Sequence, residues 1–156
     1  MTTELAILIG LQASGKTTFY RQRLAGTHVH VSKDNFGKRS RGKQARQLRL
    51  IAEALEADRN VAVDNTNPSP EDWAPLIEIG RAHGARVVAY WFPLDVEGTM
   101  ARNALRPPDI RVPDVGIYAT LGRMRRPGPS SGFDRVWAVR FDGAGGFEVT
   151  DATEGS

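Results

Sequence analysis

Residues 10–17 read Gly-Leu-Gln-Ala-Ser-Gly-Lys-Thr, the pattern G-x-x-x-x-G-K-[ST]. Glycines at both ends let successive backbone N–H groups turn toward an anion, and a helix opening just behind them adds the positive end of its dipole. Lys16 would then set a compact positive charge on the β- and γ-phosphates of a nucleotide, and the Thr17 hydroxyl is a hard oxygen suited to Mg²⁺. Gly10, Ala13, Ser14, Gly15, Lys16, Thr17 and Thr18 are therefore the candidate nucleotide contacts.

Three further groups could act on a phosphate held there. Asp34, in Val-Ser-Lys-Asp-Asn-Phe-Gly, is a carboxylate able to take the proton of an attacking hydroxyl. Asp64 closes an apolar run and is followed by Asn65, Thr66 and Asn67; an acid at that place orients the Mg²⁺ shell in loops of this kind, and the amides offer short polar contacts. Arg102 and Arg106 are four apart, which on a helix puts them on one face, and Arg111 follows in a Pro-rich segment. Arginines on such a segment can close over a nucleotide and meet the charge that develops in transfer.

These residues need a frame that brings them together. Runs at 5–10, 28–32, 61–64, 86–92 and 135–141 read as strands, the first of them buried on both faces, with helical periodicity between them. Helices are predicted from Lys16 to Leu24, Lys43 to Ala57, Ser69 to about His83 and Asp95 to Arg106. Ser69 with Asp72 and Pro70 forms a capping-box start, and Asp95 is an acidic cap. Strand–helix alternation calls for an α/β fold of three layers, with a mostly parallel sheet of about five strands, helices on both faces and a short lid segment. Ligands of such sheets lie at the strand C-terminal ends, where Gly10, Asp34 and Asp64 fall.

The 156 residues suffice for one domain with a single core. With 0 cysteines and 3 histidines, a disulfide scaffold or a Cys/His metal centre is excluded, and a reducing cytoplasm is the expected setting. No apolar stretch reaches the length of a membrane span. His28 and His30 are expected to be satisfied structurally, and Trp73, Trp91, Phe92 and Trp137 to be core aromatics. The net charge of +3 is unevenly spread, since residues 142–156 hold four acids and no base. From Lys38 to Arg49 there are six bases and no acid, which points to a polyanionic partner. The expected organisation is a domain over 1–141 and a frayed, acidic, Gly-rich tail over 142–156. No guanine-specificity motif accompanies the phosphate loop, so a small kinase is the favoured class. A kinase of small acceptors and an ATP-binding regulatory module are its alternatives.

The segments GLQASGKTTF, HVHVSKDNFG, VAVDNTNPSPEDW, RNALR, VPDVGIY and GFDRVW together resemble the kinase domain of polynucleotide 5′-kinases, both the kinase half of polynucleotide kinase/phosphatase and the bacteriophage end-healing kinase. The resemblance runs from Leu5 to Phe141. It implies transfer of the ATP γ-phosphate, with Mg²⁺, to the 5′-OH of DNA or RNA. It further implies that Lys16 and Thr17 hold phosphate and Mg²⁺ with Asp64 nearby, that Asp34 is the general base, and that Arg106 and Arg102 are lid contacts. The phage branch has an arginine three residues after the base, where this chain has Gly37. Lys38 and Arg39, with Asn67, are the candidate acceptor contacts in its place.

Overall fold

The computed structural model describes residues 2–154. Its sheet has six strands: β1 (Glu4–Ile9), β2 (His28–Val31), β3 (Asn60–Asp64), β4 (Arg86–Trp91), β5 (Arg135–Phe141) and β6 (Phe147–Asp151), in the order β2-β3-β1-β4-β5-β6. The first five run parallel, and β6 returns antiparallel along β5. β1 is central and, after Glu4, wholly buried, as expected of an apolar run covered on both faces. Leu5, Ile7 and Ile9 pack on one side with Trp73, Leu76 and Ile51, while Ala6 and Leu8 pack on the other with Phe19, Phe92 and Val139.

The helices are α1 (Lys16–Phe19), which continues as a π-helical turn over Tyr20–Leu24, then α2 (Lys43–Glu56), α3 (Pro70–Ala82), α4 (Val96–Ala104) and α5 (Asp114–Arg123). The caps are those read from the sequence: Asp72 Oδ2 accepts from the Ser69 N–H at 3.1 Å, and Asp95 Oδ1 accepts from the Gly98 N–H at 3.0 Å. α4 stops two residues short of Arg106, because Pro107 and Pro108 forbid its continuation. α5 begins where the Pro-rich segment ends, in a stretch for which the sequence predicts no element.

The C-terminal segment departs most from expectation. Instead of a frayed tail, residues 147–151 form β6, paired with β5 from Trp137–Asp151 to Phe141–Phe147. Asp142 organises the connecting turn by accepting the N–H groups of Ala144 and Gly146 at 2.7 and 3.0 Å. Arg23 and Gln22, on the π-helical turn, donate to the carbonyls of Phe147 and Gly145. Phe147 is buried, edge-on to Phe19 at 5.4 Å and stacked on Phe141 at 5.2 Å. The acidic composition concealed a Phe-Glu-Val-Thr-Asp alternation suited to an edge strand.

Phe147→Ala should lower the folding free energy by about 3–5 kcal/mol in a urea titration. A loss below about 1 kcal/mol would mean that the hairpin is not part of the core.

Candidate active site

The turn between β1 and α1 is built by two glycines with different tasks. A Cβ on Gly10 would lie 2.8 Å from Phe92 Cβ, and Gly15 has φ +93°, where a Cβ would lie 2.9 and 3.2 Å from the rings of Phe141 and Phe147. The first position needs space and the second needs both space and a left-handed backbone. The Gly10 N–H donates to the Thr66 carbonyl at 3.1 Å, which ties the loop to the end of β3.

Lys16 is buried, 8% exposed, and its ammonium group is directed at the loop itself. Nζ donates to the Leu11 carbonyl at 2.6 Å, to the Gly10 carbonyl at 3.0 Å and to Ser14 Oγ at 3.3 Å, which uses all three donors. Burial lowers its pKa to about 8, with Arg106 pushing the same way and Asp64 and Asp34 opposing. Asp64 stands beside it at the end of β3, 4% exposed. One carboxylate oxygen, Oδ2, accepts from Thr17 Oγ1 at 2.7 Å and lies 2.8 Å from His30 Nε2. Burial would raise the Asp64 pKa, but the hydrogen bonds from His30 and Thr17 and the charge of Lys16 outweigh it and hold the carboxyl below its ordinary range.

A cavity of about 800 Å³ opens in front of this pair, and Thr17, Thr18, Asp34, Asp64 and Arg106 all line it, with Ala13, Gly15 and Lys16 from the loop. Asp34 is exposed, on a 3-10 turn (Lys33–Asn35) held at three points. The Ser32 hydroxyl accepts the Asp34 N–H at 3.2 Å, Asn65 Oδ1 accepts the Lys33 N–H at 2.9 Å, and Asn35 Nδ2 lies 3.3 Å from His30 Nδ1. Asn65 is in turn fixed by Gln47 of α2, whose Oε1 accepts from its Nδ2 at 2.6 Å.

Three sequence expectations are corrected. Arg102 and Arg106 do not share a face, because the helix ends between them. Arg106 lines the large cavity, whereas Arg102 Nε donates to the Ala13 carbonyl at 2.5 Å and its guanidinium lies 4.7 Å over the Phe141 ring. Asn67 is not an acceptor contact: it is 5% exposed, has φ +44°, donates to the Leu8 carbonyl at 2.8 Å and does not line the cavity. Its own carbonyl accepts the Trp73 indole N–H at 2.6 Å, so it braces β1 against α3. Of the candidate acceptor pair, Lys38 lines the cavity and Arg39 is exposed outside it.

The cavity also holds Lys33 and Phe36, which the sequence did not single out, with Lys43 and Arg111 as further cations; Phe36 lies under the Arg46 guanidinium at 4.3 Å. Lys43 belongs to the basic run, and Arg111 to the Pro-rich segment, so composition held a signal for both. A second cavity of about 310 Å³ is lined by Leu11 and Ser14 of the loop, Thr99 and Arg102 of α4, and Phe141 and Phe147 of the hairpin. His28 pairs with Glu4 at 2.7 Å and stands apart from the site.

A phosphate-binding loop at the end of a central parallel strand, with a buried lysine and an acid on the neighbouring strand, defines a P-loop nucleotide-binding protein of kinase-like fold. The family model described as an AAA domain matches residues 5–127, and the chain belongs to that family. The bifunctional polynucleotide phosphatase/kinase of Schizosaccharomyces pombe is 23% identical over 142 residues, covering 88% of this chain and 34% of that protein. The chain thus spans about a third of the length of that curated relative. Among solved structures, a fungal RNA kinase superposes with a TM-score of 0.67 at 21% identity, covering 90% of this chain and 75% of that one. Kti12 of Chaetomium thermophilum, in complex with ADP-AlF3, gives 0.72 at 18% identity, with 88% and 89% covered. A gluconokinase from Sinorhizobium meliloti gives 0.64 at 16%, with 89% and 83% covered. Among the described residues, no helix is long and apolar enough to cross a membrane.

The depressed Lys16 pKa has a directional consequence. Only the protonated form attracts phosphate, so ATP affinity should fall as pH rises through about 8. Between pH 7 and 9 the dissociation constant measured by calorimetry should rise about tenfold, and in Lys16→Ala it should be weak and flat over that range. A flat wild-type profile would place the charge elsewhere.

Proposed function

We propose that the chain is an ATP-dependent kinase that transfers the γ-phosphate to a hydroxyl, and that the acceptor is the 5′-OH of a DNA or RNA strand. The observation that carries this reading is the charge of the large cavity. Lys33, Lys38, Lys43 and Arg111 line it in addition to Lys16 and Arg106, against the carboxylates Asp34, Asp64 and Asp109, and none of the four is ion-paired among the described residues. The triphosphate engages Lys16 and Arg106. The surplus suits an acceptor with phosphates of its own. A small neutral acceptor would leave Lys33 and Lys43 unused, whereas Lys38 and Arg111 already donate to the Asp109 and Arg106 carbonyls.

In this reading Lys16 exchanges the loop carbonyls for phosphate oxygens, and its charge is matched to the anion. Arg106 meets the charge that develops on the transferred group. Thr17 Oγ1 and Asp64 Oδ2, adjacent at 2.7 Å, are two hard oxygens of the kind that hold Mg²⁺ together with phosphate and water. The bound ion would supply neutralisation of the phosphate charge. Asp34 accepts the proton of the acceptor hydroxyl, the hydroxyl oxygen forms a bond to the γ-phosphorus, and the bond to the ADP oxygen breaks. The smaller cavity, lined by Leu11, Phe92, Phe141, Phe147 and Arg102, suits the flat base of the donor nucleotide. The lack of cysteine fits a reducing compartment such as the cytoplasm.

Asp34→Asn keeps the shape and removes proton acceptance, so transfer should fall by roughly 10²–10⁴ with ATP affinity unchanged. Loss of ATP affinity instead would recast Asp34 as structural. Salt separates the acceptor classes. With two to four phosphate contacts on a single strand, raising salt from about 50 to 200 mM should raise the oligonucleotide KM roughly 7- to 50-fold, and Lys38→Glu or Lys43→Glu should flatten that slope. A salt-insensitive KM would favour the small-acceptor reading.

A further inference from the structure

The segment Arg102-Asn103-Ala104-Leu105-Arg106 contains one buried polar residue to which the proposed chemistry gives no task. Asn103 is 2% exposed, yet both polar atoms of its side chain are hydrogen-bonded. Nδ2 donates to the Val112 carbonyl at 2.6 Å, and Oδ1 accepts the N–H of the same residue at 3.0 Å. A carboxamide has donor and acceptor side by side and so can clasp one backbone residue in both directions. The clasp joins the end of α4 to the residue before Pro113 and closes residues 104–111 into a loop.

That loop carries Arg106 and Arg111, and its order does not come from apolar burial. Leu105 is 86% and Ile110 57% exposed. Hydrogen bonds hold it instead: the Arg106 N–H to the Asn103 carbonyl at 3.0 Å, the Ile110 and Arg111 N–H groups to the Pro107 carbonyl at 3.1 and 3.0 Å, and the Arg111 guanidinium to the Arg106 carbonyl at 2.8 Å. Bonds open to water contribute little, so the more sheltered Asn103–Val112 pair, with Asn103 buried and Val112 half-buried, carries most of the ordering. The flanks are fastened to the phosphate loop, by Arg102 on the Ala13 carbonyl and by Gln12 Nε2, which donates to Thr120 Oγ1 of α5 at 2.9 Å.

We propose that Asn103 is a positioning residue, which sets the 104–111 loop through Val112 so that Arg106 and Arg111 face the cavity before nucleotide binds. The lid is then preformed, in contrast to the closing segment expected from the sequence. The inference rests on the proposed role of Arg106 toward the γ-phosphate.

Hydrogen exchange on the full chain and calorimetry with ADP and ATP test it together. In the nucleotide-free wild type the Val112 amide should exchange slowly, and Asn103→Ala should speed exchange over 104–112 by at least about tenfold while leaving the sheet unchanged. The variant should keep ADP affinity within about twofold and lose roughly tenfold of the advantage of ATP over ADP, the size of one charge-assisted contact. Arg106→Ala should lose the same advantage without altering Val112 exchange. Should Asn103→Ala not fold, Asn103→Asp keeps the bond from the Val112 N–H, sets a carboxylate oxygen against its carbonyl, and should shift both readouts in the same direction. Fast Val112 exchange in the wild type, or an unchanged ATP advantage in a folded Asn103 variant, overturns the proposal. A wild type that binds neither nucleotide would count against the kinase function, and the exchange data would still decide the clasp.

Discussion

A lysine ammonium buried at the end of a parallel sheet governs this structure. Lys16 keeps its charge there because three oxygen partners in its own loop accept its protons and because Asp64 lies on the neighbouring strand. Both conditions depend on β1 and β3 ending at the same level. The register pairs Leu8 with Asp64, and two cross-braces lock it: the Gly10 N–H on the Thr66 carbonyl and the Asn67 amide on the Leu8 carbonyl. A shift of one residue would turn Asp64 to the opposite face of the sheet and leave the lysine unbalanced.

Around this centre the polar network spreads through strand ends rather than through loops alone. Asp64 receives Thr17 and His30, His30 touches the turn that carries Asp34, and Asn65 links that turn to Gln47 of α2. The exposed turn that carries Asp34 thus inherits the rigidity of the core. On the other flank, Phe141 and Phe147 close on Gly15, so the C-terminal hairpin supports the phosphate loop from behind.

The parts of this arrangement that were legible in the sequence are those set by local chemistry. The phosphate loop, the Ser69 capping box, the Asp95 cap and the five parallel strands each follow from residues close in the chain. What was hidden depends on which elements become neighbours. His30 meets Asp64 only because β2 lies beside β3, and strand order is not written in any local pattern. Asn67 looked like a polar contact in a row of three, but a left-handed backbone and the ends of β1 and α3 draw its side chain inward. The Arg102–Arg106 spacing suggested one helical face, and a helix stop two residues before Arg106 separated them. β6 was concealed by averaging: four acids in fifteen residues read as a tail, although Phe147 and Val149 alternate as an edge strand requires.

The most direct test is transfer of label from γ-labelled ATP by the wild-type chain, in parallel, to a 5′-OH oligonucleotide, to the same strand already bearing a 5′-phosphate, and to the free nucleoside. The account predicts label on the terminal 5′ position of the first strand, none on the blocked strand, and much slower labelling of the nucleoside. Equal labelling of the nucleoside, or label on the blocked strand at the same rate, would contradict it.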